Sequence, residues 1–481
     1  MANKERITIV SRQKQRVKRT DKEYDAKGKI VLPGLIDCHT HLFSLAERAG
    51  EVDLRSCKSI REMQERIAEF ASRKKLRKHE WLFGRGWDQD LFKDKQYPQR
   101  KDLDTVLPNN PCVLSRVCGH IAVVNSQTLE RLSFLNNRPE ALVPRKNGEL
   151  TGIVKEMALE EIWKAVPSTN AAKLAIQLRK VLMEARRFGL AGVHCILSSN
   201  WKQELEAIKM LDEKRRLVII LSLFLPIEAI HEIEKLRNKE RKSLNGKNFV
   251  VLGFKVFTDG SLGARTAALS APYSDDAGNY GILYHSKNQI TEFAKSAKKL
   301  GMILAAHAIG DRAVDQVLDA YAIAGIKKRD GFRIEHCSVV RKEFANRLSG
   351  VTLSVQPSFA TSDYWIPERL GSGDKRIAYP FEFLYSQTLV VGGSDAPVES
   401  LNPLTGIISA TLNPNPKERL SFAKAVALYS ANAAKLSPLT KKLGRIAPGY
   451  DPSMLILNIK SEQEIEKAKV EHIMVRARLV S

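Results

Sequence analysis

The feature that most constrains this chain is a recurring alternation. From about residue 189, short apolar, β-branched runs alternate with amphipathic helix-like segments. The runs are Gly192–Leu197, Leu217–Leu225, Val250–Phe257, Met302–His307, Phe332–His336, Val351–Val355 and Leu389–Asp395, and an earlier one spans Val31–Ile36. Apolar runs without polar alternation are the pattern of parallel strands covered on both faces. Eight strands with intervening helices predict a (β/α)8 TIM barrel. Between them, helices are expected over Ile290–Leu300 and Arg312–Ala324, the second with Ala313, Val314, Val317, Leu318 and Tyr321 on one face.

Residues from about 44 to 185 interrupt the rhythm and are too long for one connecting loop, so they are read as an insertion after the first strand. The ends lie outside the 31–440 barrel: residues 1–30 and 441–481 carry short strand-like pieces expected to form a small composite β-sandwich.

Active sites of TIM barrels sit at the C-terminal ends of the strands. The first run leads into His39-Thr40-His41, whose imidazoles project to the same side of a strand. The fourth run carries Lys255, the fifth ends in His307, the sixth in His336 and the eighth in Asp395. Neutral imidazoles and a carboxylate are ligands for zinc-like ions, and a bound divalent ion lowers the pKa of water to about 7. Asp395 is both a candidate ligand and the candidate general base. Lys255 has two readings: a carbamate (N6-carboxylysine) bridging two ions, or an ammonium paired with Asp259 or with substrate. The expected cofactor is one or two divalent ions per chain, with zinc the leading choice.

The motifs PGLIDCHTHL (33–42), GRGWD (84–88), FKVFTDGSLGARTAAL (254–269), HAIGDRAVDQVLDAY (307–321), RIEHC (333–337) and GGSDAPV (392–398) resemble the amidohydrolase superfamily. Within it they resemble the YtcJ-like branch, which is related to N-substituted formamide deformylases. The resemblance covers nearly the whole chain and implies a distorted barrel, hydrolysis of non-peptide C–N bonds, and metal at His39, His41, Lys255, His307, His336 and Asp395. Two departures stand out. Cys195 replaces the acid usual at the second strand, and His307-Ala308-Ile309-Gly310 lacks the glutamate of a deaminase.

Further candidates each carry a plainer alternative. Trp87 and Asp88 line a substrate pocket or pack within the insertion. His120 stabilises an oxyanion and contacts substrate, or is an ordinary buried histidine. Arg265 binds a substrate carboxylate or braces its loop. His194 faces the mouth behind the ligands. Glu335, next to His336, is expected to point away from the barrel interior.

The chain carries a net charge of +23, but its basic residues are not interleaved with aromatics. A solvated surface is expected, with no specific nucleic-acid partner. No run of about 18 apolar residues suggests a membrane span. Six scattered cysteines without a C-x-x-C pair, and no signal-like start, give the expectation of a cytoplasmic protein. The expected partner is a small-molecule substrate, and a homodimer is compatible with the chain. The rival functions are hydrolysis of a lactone or phosphoester on the same scaffold, and a basic binding protein on an inactive one.

Overall fold

The computed structural model describes residues 25–48, 50–116, 121–137, 143–155, 158–159, 161–162, 170–371, 375–475 and 478–480. The chain divides into two compact units, one of residues 1–45 with 171–481, the other of residues 46–170.

The first unit holds an eight-stranded sheet whose strands pair in parallel: β1 (Leu35–Thr40), β2 (Leu190–Ile196), β3 (Ile220–Pro226), β4 (Phe249–Phe257), β5 (Ile303–Ala308), β6 (Arg333–His336), β7 (Thr352–Val355) and β8 (Val390–Gly392). All residues of β1, β2, β6, β7 and β8 are buried, as strands covered on both faces require. The sheet nearly closes into a barrel. Beyond the last strand, Thr40 and Ala396 form a parallel bridge. The amide of His41 donates to the Ala396 carbonyl at 2.8 Å and that of Asp395 to the His39 carbonyl at 2.8 Å. The closing seam therefore runs through three of the expected site residues.

The helices follow their apolar patterns. Lys287–Lys299 is capped by Ser286, whose hydroxyl accepts from the Gln289 amide, and it buries Ile290, Ala294 and Ala297. Asp311–Ile323 buries Ala313, Val314, Val317, Leu318 and Tyr321, the face read from the sequence. Among the described residues no helix is long and apolar enough to cross a membrane.

The first apolar run is not one strand. Val31–Pro33 pairs antiparallel with Met454–Leu457, while Leu35–Thr40 enters the barrel. Gly34 stands at the division, where a Cβ would come within 2.4 Å of the Ser453 Cβ. Met454–Leu457 also pairs with Val470–Val475, which pairs with Arg478–Val480. Among the described residues this terminal element is a single four-stranded antiparallel sheet. The expected piece at residues 6–10 lies outside them.

The second unit has its own five-stranded sheet, ordered Val52–Asp53, Leu82–Trp87, Cys112–Arg116, Ile121–Val124, Ile153–Lys155. One core packs Val52, Met63, Ile67, Leu82, Trp87 and Leu103, and a second packs Val113, Val124, Leu129, Leu135 and Leu159. The helix Ile60–Lys74 is capped by Ser59 and sends Met63 and Ile67 into the first core.

Candidate metal centre

β1 ends at Thr40, so His39 and His41 leave it on the same side. Both approach one carboxylate oxygen. Asp395 Oδ1 lies 3.3 Å from His39 Nε2 and 3.2 Å from His41 Nε2. Asp395 follows β8 with φ of 57°, a left-handed conformation that aspartate tolerates better than most residues. That turn brings its side chain back over the strand ends.

His336 closes β6 with φ of 71°. Its ring centroid is 4.9 Å from that of His39 and 4.4 Å from that of His307. One ligand atom each of His39, His336 and Asp395 lie within 4.8 Å of one another, close enough to share an ion. His307 Nε2 donates to the Gly260 carbonyl at 3.0 Å, leaving Nδ1 as its free nitrogen.

Four buried atoms of this cluster have no hydrogen-bond partner among the described residues: His39 Nε2, His307 Nδ1, His336 Nδ1 and Lys255 Nζ. Buried polar atoms are rarely left so, and four of them in one cluster call for a partner. The donor set of imidazoles, a carboxylate and an amine fits a divalent metal of the zinc type.

Electrostatics agree with that fit. Burial drives the His307 imidazole down to about 3, and it drives that of His336 well below its usual value. Both are therefore neutral, the state in which imidazole ligates metal. Burial pushes the Asp395 carboxyl up, but His39, His41 and His336 outweigh it and hold the group well below the carboxylate range. For His39, burial and the Lys255 ammonium push down, while Asp395 and Glu335 push up and prevail. An imidazole between two carboxylates invites positive charge, from a proton or from a metal ion.

Lys255 is 2% exposed, and burial lowers its ammonium to about 8. Its Nζ sits 4.7 Å from the centroid of Phe257. The alternative pairing with Asp259 is not made. The Asp259 carboxylate instead accepts the backbone amides of Ala268 at 2.9 Å, Ile309 at 3.0 Å and Gly310 at 2.8 Å.

One expectation is corrected. Glu335 points into the barrel and meets His39 Nδ1 through its Oε2 at 2.5 Å. Alternation was counted back from His336, whose positive φ breaks it. The regular part of β6 puts Arg333 and Glu335 on the inner face, and both are buried. The signal was available: two opposite charges at i and i+2 in an apolar barrel strand need each other. His194 also faces inward, with Nδ1 2.8 Å from Arg333 Nη1.

The remaining candidates are described in their own surroundings. Trp87 is wholly buried in its own unit, where its indole N–H donates to the Leu114 carbonyl at 2.7 Å, which is the packing alternative. Asp88 caps Gln89–Leu91 and pairs with Arg116 at 2.8 Å. Arg265 makes two hydrogen bonds to Asp275, at 3.2 and 2.8 Å, as a loop brace does. His120 lies outside the described residues.

A family model described as the amidohydrolase family matches residues 22–480. YtcJ of Bacillus subtilis (strain 168), which carries an amidohydrolase name, is 31% identical over 91% of this chain and 85% of its own length. An N-substituted formamide deformylase of Arthrobacter pascens is 23% identical over 90% of this chain and 84% of its own. The crystal structure of an uncharacterized metal-dependent hydrolase from Pyrococcus furiosus superposes with a TM-score of 0.76 at 33% identity, covering 90% of this chain and 88% of the other.

Proposed function

Because the chain belongs to the amidohydrolase family, we infer that it is a metal-dependent hydrolase and that its target is a non-peptide C–N bond of a small amide-type molecule. The observation that carries this reading is the cluster of His39, His336 and Asp395, whose ligand atoms lie within 4.8 Å of one another, together with the buried atoms left without a hydrogen-bond partner at His307 and Lys255. The formamide deformylase among the relatives supports the choice of bond.

His39, His41, His307, His336 and Asp395 would hold the metal, with Lys255 joining as a carbamate. When bound, a divalent ion supplies Lewis acidity and a lowered pKa for water. Asp395 faces His39 and His41, and its ionised carboxylate would take a proton from the attacking water. It then passes that proton to the leaving nitrogen as the C–N bond breaks. Water and amide become acid and amine, with Asp395 restored. His120 remains our candidate to steady the developing oxyanion. Lys255 suits carbamylation because an amine whose pKa is lowered to about 8 is neutral often enough to attack carbon dioxide, releasing one proton. The resulting anion offsets the cost of a second cation in the site.

The test is turnover of a panel of formamides and simple carboxamides by metal-loaded protein, beside lactones and phosphoesters. Hydrolysis of amides that vanishes in Asp395→Ala supports the reading. Turnover retained in that variant overturns the mechanism, and turnover confined to the lactones or phosphoesters overturns the choice of bond.

A further inference from the structure

Arg333 and Glu335 occupy one face of β6, two residues apart, inside the barrel. They are joined by two hydrogen bonds, Nε to Oε1 at 2.7 Å and Nη2 to Oε2 at 2.9 Å. Arg333 has further anchors. Nη2 donates to the Cys38 carbonyl at 2.8 Å, Nη1 meets His194 Nδ1 at 2.8 Å, and the guanidinium lies 4.8 Å from the Phe224 ring centroid. The carboxylate then meets His39 Nδ1 at 2.5 Å. All four polar side chains are buried. A continuous chain therefore runs His194, Arg333, Glu335, His39, from β2 through β6 to β1. It ends at Nε2 of His39, one of the unpartnered atoms of the site.

We propose that the Arg333–Glu335 pair is a positioning device for His39, fixing its tautomer and ring orientation so that Nε2 presents its lone pair to the ion. This rests on reading the cluster as a metal centre. An imidazole has two nitrogens, and the hydrogen bond made by one decides which of them ligates. Donation from Nδ1 to a carboxylate selects Nε2 and strengthens it as a donor. The fork of Arg333 holds the carboxylate at two points, and its contacts to Cys38 and His194 hold the fork still. Beyond the two hydrogen bonds from Arg333, the carboxylate gives a further acceptor site to a histidine 296 residues away in the sequence.

The test is titration of the full-length, metal-free chain with zinc alone against a competing chelator, with the visible absorption spectrum of the cobalt-loaded protein as a second readout. Glu335→Gln should bind zinc about 10- to 100-fold more weakly and shift the cobalt spectrum. Removing one partner of a buried pair endangers folding. The double variant Arg333→Met/Glu335→Gln removes both charges together and should show the same loss. A folded variant of either kind that binds zinc as tightly as the parent, with an unchanged cobalt spectrum, overturns the proposal. A parent chain that binds neither metal overturns the metal-centre reading itself, a result distinct from equal binding by parent and variant.

Discussion

Asp395 is tied to His39 twice. Its amide donates to the His39 carbonyl at 2.8 Å, and its carboxylate lies 3.3 Å from the His39 imidazole. The first contact helps close the barrel and the second helps shape the site, so the same two residues serve both the seam and the ligand cluster.

Replacing the Asp395 side chain should therefore separate chemistry from fold. The backbone bond survives in Asp395→Asn, while the proton acceptor is lost. We expect amide hydrolysis to fall by about a hundred- to ten-thousand-fold, with a circular-dichroism spectrum like that of the parent. Steady-state kinetics on metal-loaded protein checks this.

Gly393 lies against the same seam. A Cβ there would come within 2.5 Å of the His39 Cβ and 2.6 Å of its backbone nitrogen. The Gly393→Ala chain should be less stable by about 1–3 kcal/mol, and its displaced His39 should bind zinc more weakly. Denaturant unfolding and zinc titration of the same preparation measure both effects.

Chelation should lower thermal stability, because an ion that binds the folded chain alone stabilises it by mass action. With free zinc at a hundred times its Kd, the difference amounts to about 2.7 kcal/mol. Lys255→Met should bind one ion fewer than the parent when both are loaded in bicarbonate, as read by elemental analysis. Equal metal content would mean that Lys255 stays an ammonium.

Asp363 offers a pH effect apart from the metal. Its carboxyl accepts from the Tyr379 hydroxyl, but burial is the larger influence and raises its pKa above the usual 3.8. Between 3.8 and that raised value the folded chain holds a proton that the unfolded chain has lost. Stability from this group is thus present at low pH and lost as pH rises through the folded pKa. Relative to the parent, Asp363→Asn should gain stability across that interval, measured by urea unfolding at a series of pH values.

The barrel was legible because each strand buried on both faces must be written in apolar residues, and His39, His307 and His336 stand out at their ends. Glu335 was misplaced because strand alternation holds only while φ stays extended, and His336 turns to the left-handed region. The break at Gly34 was hidden because strands of two different sheets are equally apolar where they meet. Trp87 illustrates a different limit. An aromatic residue beside glycines reads alike in a pocket and in a core, and only its contact with the Leu114 carbonyl tells them apart.

His39 stands 296 residues before Glu335 and 356 before Asp395, so the parts of the site are far apart in the sequence. During synthesis, then, His39 waits for most of the polypeptide without the carboxylate that orients it or the seam that encloses it. Any metal caught early would be held by the His39-Thr40-His41 pair alone, two ligands in place of a full set. A full set of ligands, and with it selectivity among ions, comes only when the last strand closes.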